Sequence, residues 1–224
     1  MIPIEQTPTL PESFYLDRAT QVARRLLGQR LVRRLEDGRR LSGIILETEA
    51  YDGREDQACH ARVGLTARNA VMFGPPGRAY IYFVYGMHWC LNAVVGAEGY
   101  PAAVLIRMLW PIEGLDVIAQ SRGGRPLKEW CNGPAKLCQA LAIDGRLNGL
   151  NLTDPTSPLV IERGFSIPDE WVRVGPRIGV DYAPEPWRSI PWRFTAIIPL
   201  EVIASWGPVT PGSLSPCGRH LCYS

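Results

Sequence analysis

An apolar run that ends in acid is the strongest constraint on how this chain can fold. Ile44-Ile45-Leu46 reads as a buried strand and leads straight into Glu47-Thr-Glu-Ala-Tyr51 and then His60, one of only three histidines in 224 residues. Residues two apart on a strand share a face, so Glu47, Glu49 and Tyr51 should project together. Carboxylates at the end of an apolar strand are costly unless they are paired or employed. A proton-handling site is one reading, with Glu49 as a general base toward water. The other is a surface glutamate that ends an edge strand. Arg107, closing a second apolar run, could hold the same water or a phosphate.

Around this feature the chain divides into short elements. Asp17 can cap a helix through Leu27, with Val22, Leu26 and Leu27 on one face and Gly28 as its stop. Gln29 to Leu35 and Arg39 to Glu49 read as a hairpin about the turn dipeptide Asp37-Gly38. Asp52 to Gly77 is loop-like and ends in Gly-Pro-Pro-Gly. Arg78 to Tyr85 is a strand by its aromatic and β-branched content, and Gly86-Met87 can reverse the chain into Trp89 to Gly96. Ala102 to Trp110 is a further strand. Pro111 opens a helix from Gly114 to Arg122, and Gly133 to Leu141 is another. Beyond Asn148, prolines and short β-rich pieces dominate, with Arg193 to Ala204 the clearest strand. The fold class is α+β: a single mixed domain over residues 1–204, with a curved, mostly antiparallel β-sheet, flanking helices and a protruding β-hairpin. Residues 205–224 form a C-terminal tail.

Composition narrows the function classes. A hydrophobic fraction of 46% and a charged fraction of 21% suit a soluble globular protein. No apolar stretch reaches transmembrane length, and Met-Ile-Pro-Ile-Glu has no signal-peptide pattern, so a cytoplasmic location with no membrane partner is expected. The net charge of +2 is too mild to establish a polyanionic partner. Lys128 and Lys136 are the only lysines. The arginine excess accords with phosphate contacts and equally with codon bias. The six cysteines lack C-x-x-C pairing, and reduced, mostly buried thiols are expected. Cys217 and Cys222 around His220 could suggest a metal hook, but a structural or free tail is the stronger reading.

Tyr80, Tyr82 and Tyr85 lie within six residues. By alternation Tyr80 and Tyr82 share a face and Tyr85 points to the other. Core packing is the common meaning of such a strand, yet a tyrosine at a hairpin tip is hard to bury and can stack on bases or fill a gap in a duplex. Tyr51 and His60 could complete a clamp for a flat heterocycle. Phosphate loop, nucleophile elbow and H-E-x-x-H motifs are absent. A Schiff-base mechanism is disfavoured because no lysine neighbours the cluster in sequence, although folding could bring Lys136 close.

At these residues the chain resembles the alkyladenine (3-methyladenine) DNA glycosylase family, over about Ala19 to Leu200. The matching pieces are Leu-Leu-Gly at 26–28, Glu-Thr-Glu-Ala-Tyr at 47–51, His60 and Tyr-Ile-Tyr-Phe-Val-Tyr-Gly-Met at 80–87. They continue with Cys90-Leu-Asn92, Leu105-Ile-Arg107 and Gly-Pro-Ala-Lys-Leu-Cys-Gln-Ala-Leu at 133–141. The resemblance implies a monofunctional enzyme that flips a damaged purine out of double-stranded DNA and hydrolyses its N-glycosidic bond. Carried over by position, Glu49 is the general base, and Arg107 and the carbonyl of Ile178 help hold the water. Tyr51, His60 and Tyr82 line the pocket, Asn92 crowds the exocyclic amine of guanine, and Tyr85 wedges into the duplex. Glu47 is expected to serve through structural hydrogen bonds. Neither metal nor cofactor is implied, and a monomer associated with the nucleoid in a prokaryote is expected. Two other functions stay open: hydrolysis of another glycosidic bond by Glu47 and Glu49, and non-catalytic nucleic-acid binding.

Overall fold

The computed structural model describes residues 7–206. Eight strands, β1 (Arg30–Arg34), β2 (Arg40–Asp52), β3 (Ala79–Val84), β4 (His88–Val95), β5 (Ala102–Glu113), β6 (Leu159–Glu162), β7 (Val172–Gly175) and β8 (Arg193–Ala196), join in one sheet. Its main path runs β3-β4-β5-β2-β1-β6, and every pairing described is antiparallel. The helices are α1 (Ala19–Leu26), α2 (Leu115–Ser121), α3 (Pro134–Ala140) and α4 (Leu200–Ala204). The expected α+β class, the Asp37-Gly38 hairpin and the β3–β4 hairpin are all present.

Strand alternation divides the sheet into a helix face and a site face. Ile45, Ala50, Ile81, Leu91, Val104 and Ile106 bury their side chains with Val22, Leu26 and Leu137 of α1 and α3. Residues of opposite parity face the other way. At one end of that second face they pack as an apolar layer of Ile44, Leu46, Met108 and Ile198. At the other they include Tyr80, Val94 and Ala103. Full burial of a large apolar side chain contributes about 1.5–3 kcal/mol, so both layers hold the sheet firmly.

Three register shifts interrupt the β2–β5 ladder, leaving Leu46, Arg107 and Ile112 as extra residues. The first two put neighbours on the same face: Leu46 with Glu47, and Arg107 with Met108. β2 also changes partner along one edge, pairing with β1 up to Ile44 and with β8 from Glu47 to Glu49. The site therefore begins where the sheet branches.

Four expectations change. Asp17 does not cap α1; it pairs with Arg25 at 2.7 Å, and Arg18 holds the N-cap position, its carbonyl accepting the first helical bonds. Pro111 does not open a helix. It continues β5 beside a bulge, where its missing N–H is tolerated, and α2 starts only after Gly114. The run from Arg193 to Ala204 is not one strand, because β8 stops at Ala196 and Pro199 leads into α4. Tyr85 does not follow strand alternation, because both Tyr85 (φ 52°) and Gly86 (φ 68°) are left-handed in the turn closed by Met87 N–H to the Val84 carbonyl.

Ser205 and Trp206 complete the last turn, and Trp206 packs on Phe165 with ring centroids 4.8 Å apart. The rest of the expected tail, including Cys217, His220 and Cys222, lies outside the described residues. No helix among the described residues is long and apolar enough to cross a membrane.

Gly28 ends α1 at φ 83°, and a Cβ there would come within 2.3 Å of the Phe165 carbonyl oxygen. Gly28→Ala is expected to cost roughly 1–3 kcal/mol through left-handed strain and overpacking. The check is a lower urea midpoint at unchanged slope; an unaltered midpoint would contradict the tight approach.

Candidate active site

The site is a row of side chains laid across four strands. Cα register aligns Tyr80 with Asn92, Asn92 with Leu105, and Leu105 with Glu49. To either side of this row, Tyr82 pairs with Cys90 and Tyr51 with Ala103. Residues far apart in sequence thus share one face because every strand alternates in phase. Tyr51, Tyr80, Tyr82, Asn92 and Leu105 bound a cavity of about 470 Å³, completed by His60 from the loop after β2, Tyr85 from the β3–β4 tip and Ile178 from the loop after β7.

Glu49 lies behind this wall, fully buried. One carboxylate oxygen, Oε1, accepts the Ile178 N–H at 2.7 Å and sits 3.3 Å from Arg107 Nε. The other accepts the Tyr51 hydroxyl at 2.9 Å. Burial pushes the Glu49 carboxyl above its ordinary range, with Arg107, the Ile178 N–H and the Tyr51 hydroxyl pulling the other way. The three partners of Glu49 line the cavity themselves. For Ile178 the group on the carboxylate is its N–H.

Glu47 projects to the same face, as its spacing requires, and it is fully engaged. Arg107 Nε reaches Glu47 Oε1 at 3.0 Å, while Arg193 Nη1 and the Thr195 hydroxyl donate to Oε2 at 3.0 and 2.7 Å. Arg107, the extra residue of the β5 bulge, brings one guanidinium to both glutamates. Lys136 does not join the cluster; its ammonium donates to Asn132 Oδ1 at 2.8 Å.

Several contributors were not singled out from sequence. Asp56 and Arg177 form a fully buried ion pair beside the site, and the Arg177 guanidinium lies 4.8 Å from the Tyr51 ring centre. The Tyr182 hydroxyl donates to the Ala58 carbonyl at 3.0 Å, joining the Ile178 loop to the loop before His60. Arg193 and Thr195 reach Glu47 from β8. A sequence signal existed only for Asp56, as one more acid within the 47–60 segment.

Among the described residues, no group of three or more His, Cys, Asp or Glu side chains is arranged to hold a metal ion. Cys59, Cys90, Cys131 and Cys138 are free and buried. Burial raises the two thiols nearest the cavity, Cys59 to about 12 and Cys90 to about 11, so both stay protonated and unreactive.

Asn92 is buried and donates its amide to the Tyr80 carbonyl at 3.0 Å. His60 stands edge-on to Tyr82 with centroids 4.5 Å apart, and its Nδ1 is 2.9 Å from the Tyr80 hydroxyl. Burial raises Tyr80 to about 12, so the phenol stays protonated, and its hydroxyl shares one hydrogen bond with His60 Nδ1. Burial first, then Arg68 and Arg62, lower His60 to about 4. A proton NMR titration should therefore find His60 neutral through physiological pH with a midpoint about 4; a midpoint near 6.5 would contradict this environment.

The residue pattern of the family described as Methylpurine-DNA glycosylase (MPG) matches residues 13–197. A protein of Methanocella arvoryzae named "Putative 3-methyladenine DNA glycosylase" is 50% identical over 189 residues, 84% of this chain and 92% of that one. Proteins with the same name from Carboxydothermus hydrogenoformans and Bacillus cereus are 49% and 42% identical, covering 83% and 82% of this chain and 93% of their own lengths. The motifs at 47–51, 80–87 and 133–141 all fall within the matched stretch. The chain belongs to the methylpurine-DNA glycosylase family.

Proposed function

We propose that the protein is a monofunctional DNA glycosylase that turns an alkylated or deaminated purine out of duplex DNA and hydrolyses its N-glycosidic bond. The observation that carries this reading is a fully buried carboxylate, Glu49, behind the wall of an aromatic cavity with an exposed tyrosine at its rim. At about 470 Å³ the cavity falls within the range of about 300–1,000 Å³ typical of small-molecule pockets.

In the reaction, water attacks C1′ of the extruded nucleotide and gives a proton to Glu49. The C1′–N9 bond breaks with its electron pair passing to the purine, and an abasic site remains. A cationic alkylpurine leaves as the neutral base; a neutral deaminated purine takes up a proton as it leaves. A carboxylate offers about four acceptor positions. Glu49 accepts two hydrogen bonds, from the Ile178 N–H and the Tyr51 hydroxyl, so acceptor capacity remains for the water. Arg107 fixes the carboxylate, and the carbonyl of Ile178 is assigned to the water's second hydrogen. The Glu49 charge also stabilises an oxocarbenium-like sugar. A carboxylate raised by burial is a better base near neutral pH than an exposed one.

Tyr51, His60 and Tyr82 hold the base, with stacking contributing about 1–3 kcal/mol. Neutral His60 adds no repulsion toward a cationic purine. Asn92, held by Tyr80, crowds the exocyclic amine of guanine. Tyr85 is 87% exposed in a left-handed conformation that costs a non-glycine residue roughly 1–2 kcal/mol. A strained, exposed aromatic suits a wedge that fills the space of the flipped nucleotide. Double-stranded DNA with damaged purines is the partner, a monomer is the acting form, and the cytoplasm or nucleoid is its place. A two-carboxylate glycosidase is less favoured, because Glu47 is committed to Arg107, Arg193 and Thr195.

Glu49→Gln is expected to reduce single-turnover release of hypoxanthine from duplex DNA by about 10²–10⁴-fold, while affinity for the same duplex survives. Excision at the wild-type rate would remove Glu49 from its role.

A further inference from the structure

Asp56 and Arg177 have no part in the chemistry above, yet both side chains are fully buried. A buried ion pair carries a desolvation cost that apolar residues would avoid, so its presence calls for a physical reason. Both guanidinium ends of Arg177 meet the Asp56 carboxylate, Nη2 to Oδ1 at 2.8 Å and Nη1 to Oδ2. The same two nitrogens also reach backbone: Nη1 the Ala50 carbonyl at 2.9 Å and Nη2 the Trp187 carbonyl at 3.1 Å. The guanidinium lies between the rings of Tyr51 and Trp192, 4.8 and 5.1 Å from their centres. Asp56 is fixed in turn by the N–H groups of Asp52 and Ala58, at 3.2 and 3.0 Å.

These contacts converge on the neighbours of Glu49. Ala50 separates Glu49 from Tyr51 in β2, and Arg177 immediately precedes Ile178. We propose that Arg177, anchored by Asp56, is a positioning residue that clamps the Ile178 loop to β2 and so keeps the Ile178 N–H and the Tyr51 hydroxyl on the Glu49 carboxylate. The inference rests on the base-excision reading of the site. Beside the packing of Val180 and Ala183 on Ala58, the other side-chain hydrogen bonds tethering this loop are Arg193 Nε to the Pro176 carbonyl and the Tyr182 hydroxyl to the Ala58 carbonyl. Neither acts at Ile178 itself. A lysine at 177 would preserve the charge, but a single ammonium cannot match a bidentate carboxylate and span two carbonyls as well.

The charged and titratable groups around Glu49 are Glu47 and Tyr51 from β2, Tyr82 from β3, Cys90 from β4, Arg107 from β5 and Arg177 from the loop. Arg177→Lys leaves all these charges in place. A change in the Glu49 titration would then report the lost Ile178 hydrogen bond, which holds that carboxyl down.

The test follows single-turnover release of hypoxanthine from duplex DNA by full-length Arg177→Lys across acid to neutral pH, with melting temperature and affinity for the duplex measured alongside. The rate at neutral pH is expected to fall by about 10²-fold, the effect of a small misplacement of a reacting group. The acid limb should move to higher pH, and affinity should be retained. Asp56→Asn carries the same expectation if the lysine variant fails to fold. An unchanged rate and limb would overturn the proposal. So would a rate that falls only with melting temperature and affinity while the limb stays fixed, or failure of both variants to fold. Wild-type protein that released no base would instead remove the base-excision reading, and this inference with it.

Discussion

The arrangement of the site turns on one carboxylate held out of reach of bulk water. A buried ion retains a desolvation penalty of several kcal/mol even after relaxation. Around Glu49 that penalty is offset by a guanidinium, a backbone N–H and a phenol, each delivered by a different part of the chain. Arg107 comes from a bulge in β5, Tyr51 from two residues further along β2, and Ile178 from the loop after β7. Removing any one leaves the carboxyl less compensated and more readily protonated.

The sheet accounts for how these groups meet. In-phase alternation lines up Tyr80, Asn92, Leu105 and Glu49 across four strands, while the opposite parity fills the helix-covered core. The bulges at Leu46 and Arg107 depart from that rule at the site, and there the sheet also branches to admit β8. Arg107 shares the site face with Leu105, two residues before it, and the bulge adds Met108 to that face. One cation is thus shared between Glu47, which accepts three side-chain hydrogen bonds, and Glu49, which accepts two and keeps spare acceptor capacity.

Features set by local periodicity were legible in the sequence. The projection of Glu47, Glu49 and Tyr51 to one face follows from a period of two, and the Asp37-Gly38 and Gly86 turns follow from residue type. What could not be read depends on long-range packing. Arg177 and Asp56 are 121 positions apart, and Arg193 meets Glu47 across 146, with no local pattern to join them. Bulges leave apolar content unchanged, so the sequence places Arg107 at a strand end near the site without showing that it meets both glutamates. The boundary between β8 and α4 was missed because Phe194 to Ala204 is apolar in both states, although Pro199 marked the break. Tyr85 was assigned to the wrong face because alternation ends where left-handed turn geometry begins.

The proposed site, a cavity walled by neutral rings and backed by a buried carboxylate, makes one sharp demand on solution behaviour. The most direct measurement is the pH dependence of hypoxanthine release by the wild-type protein, taken under single-turnover conditions on duplex DNA. The rate should fall on acidification through a single ionisation whose midpoint lies above the ordinary glutamate value of 4.5. A rate that stays level through that range, or a midpoint at or below 4.5, would contradict a buried Glu49 as the base.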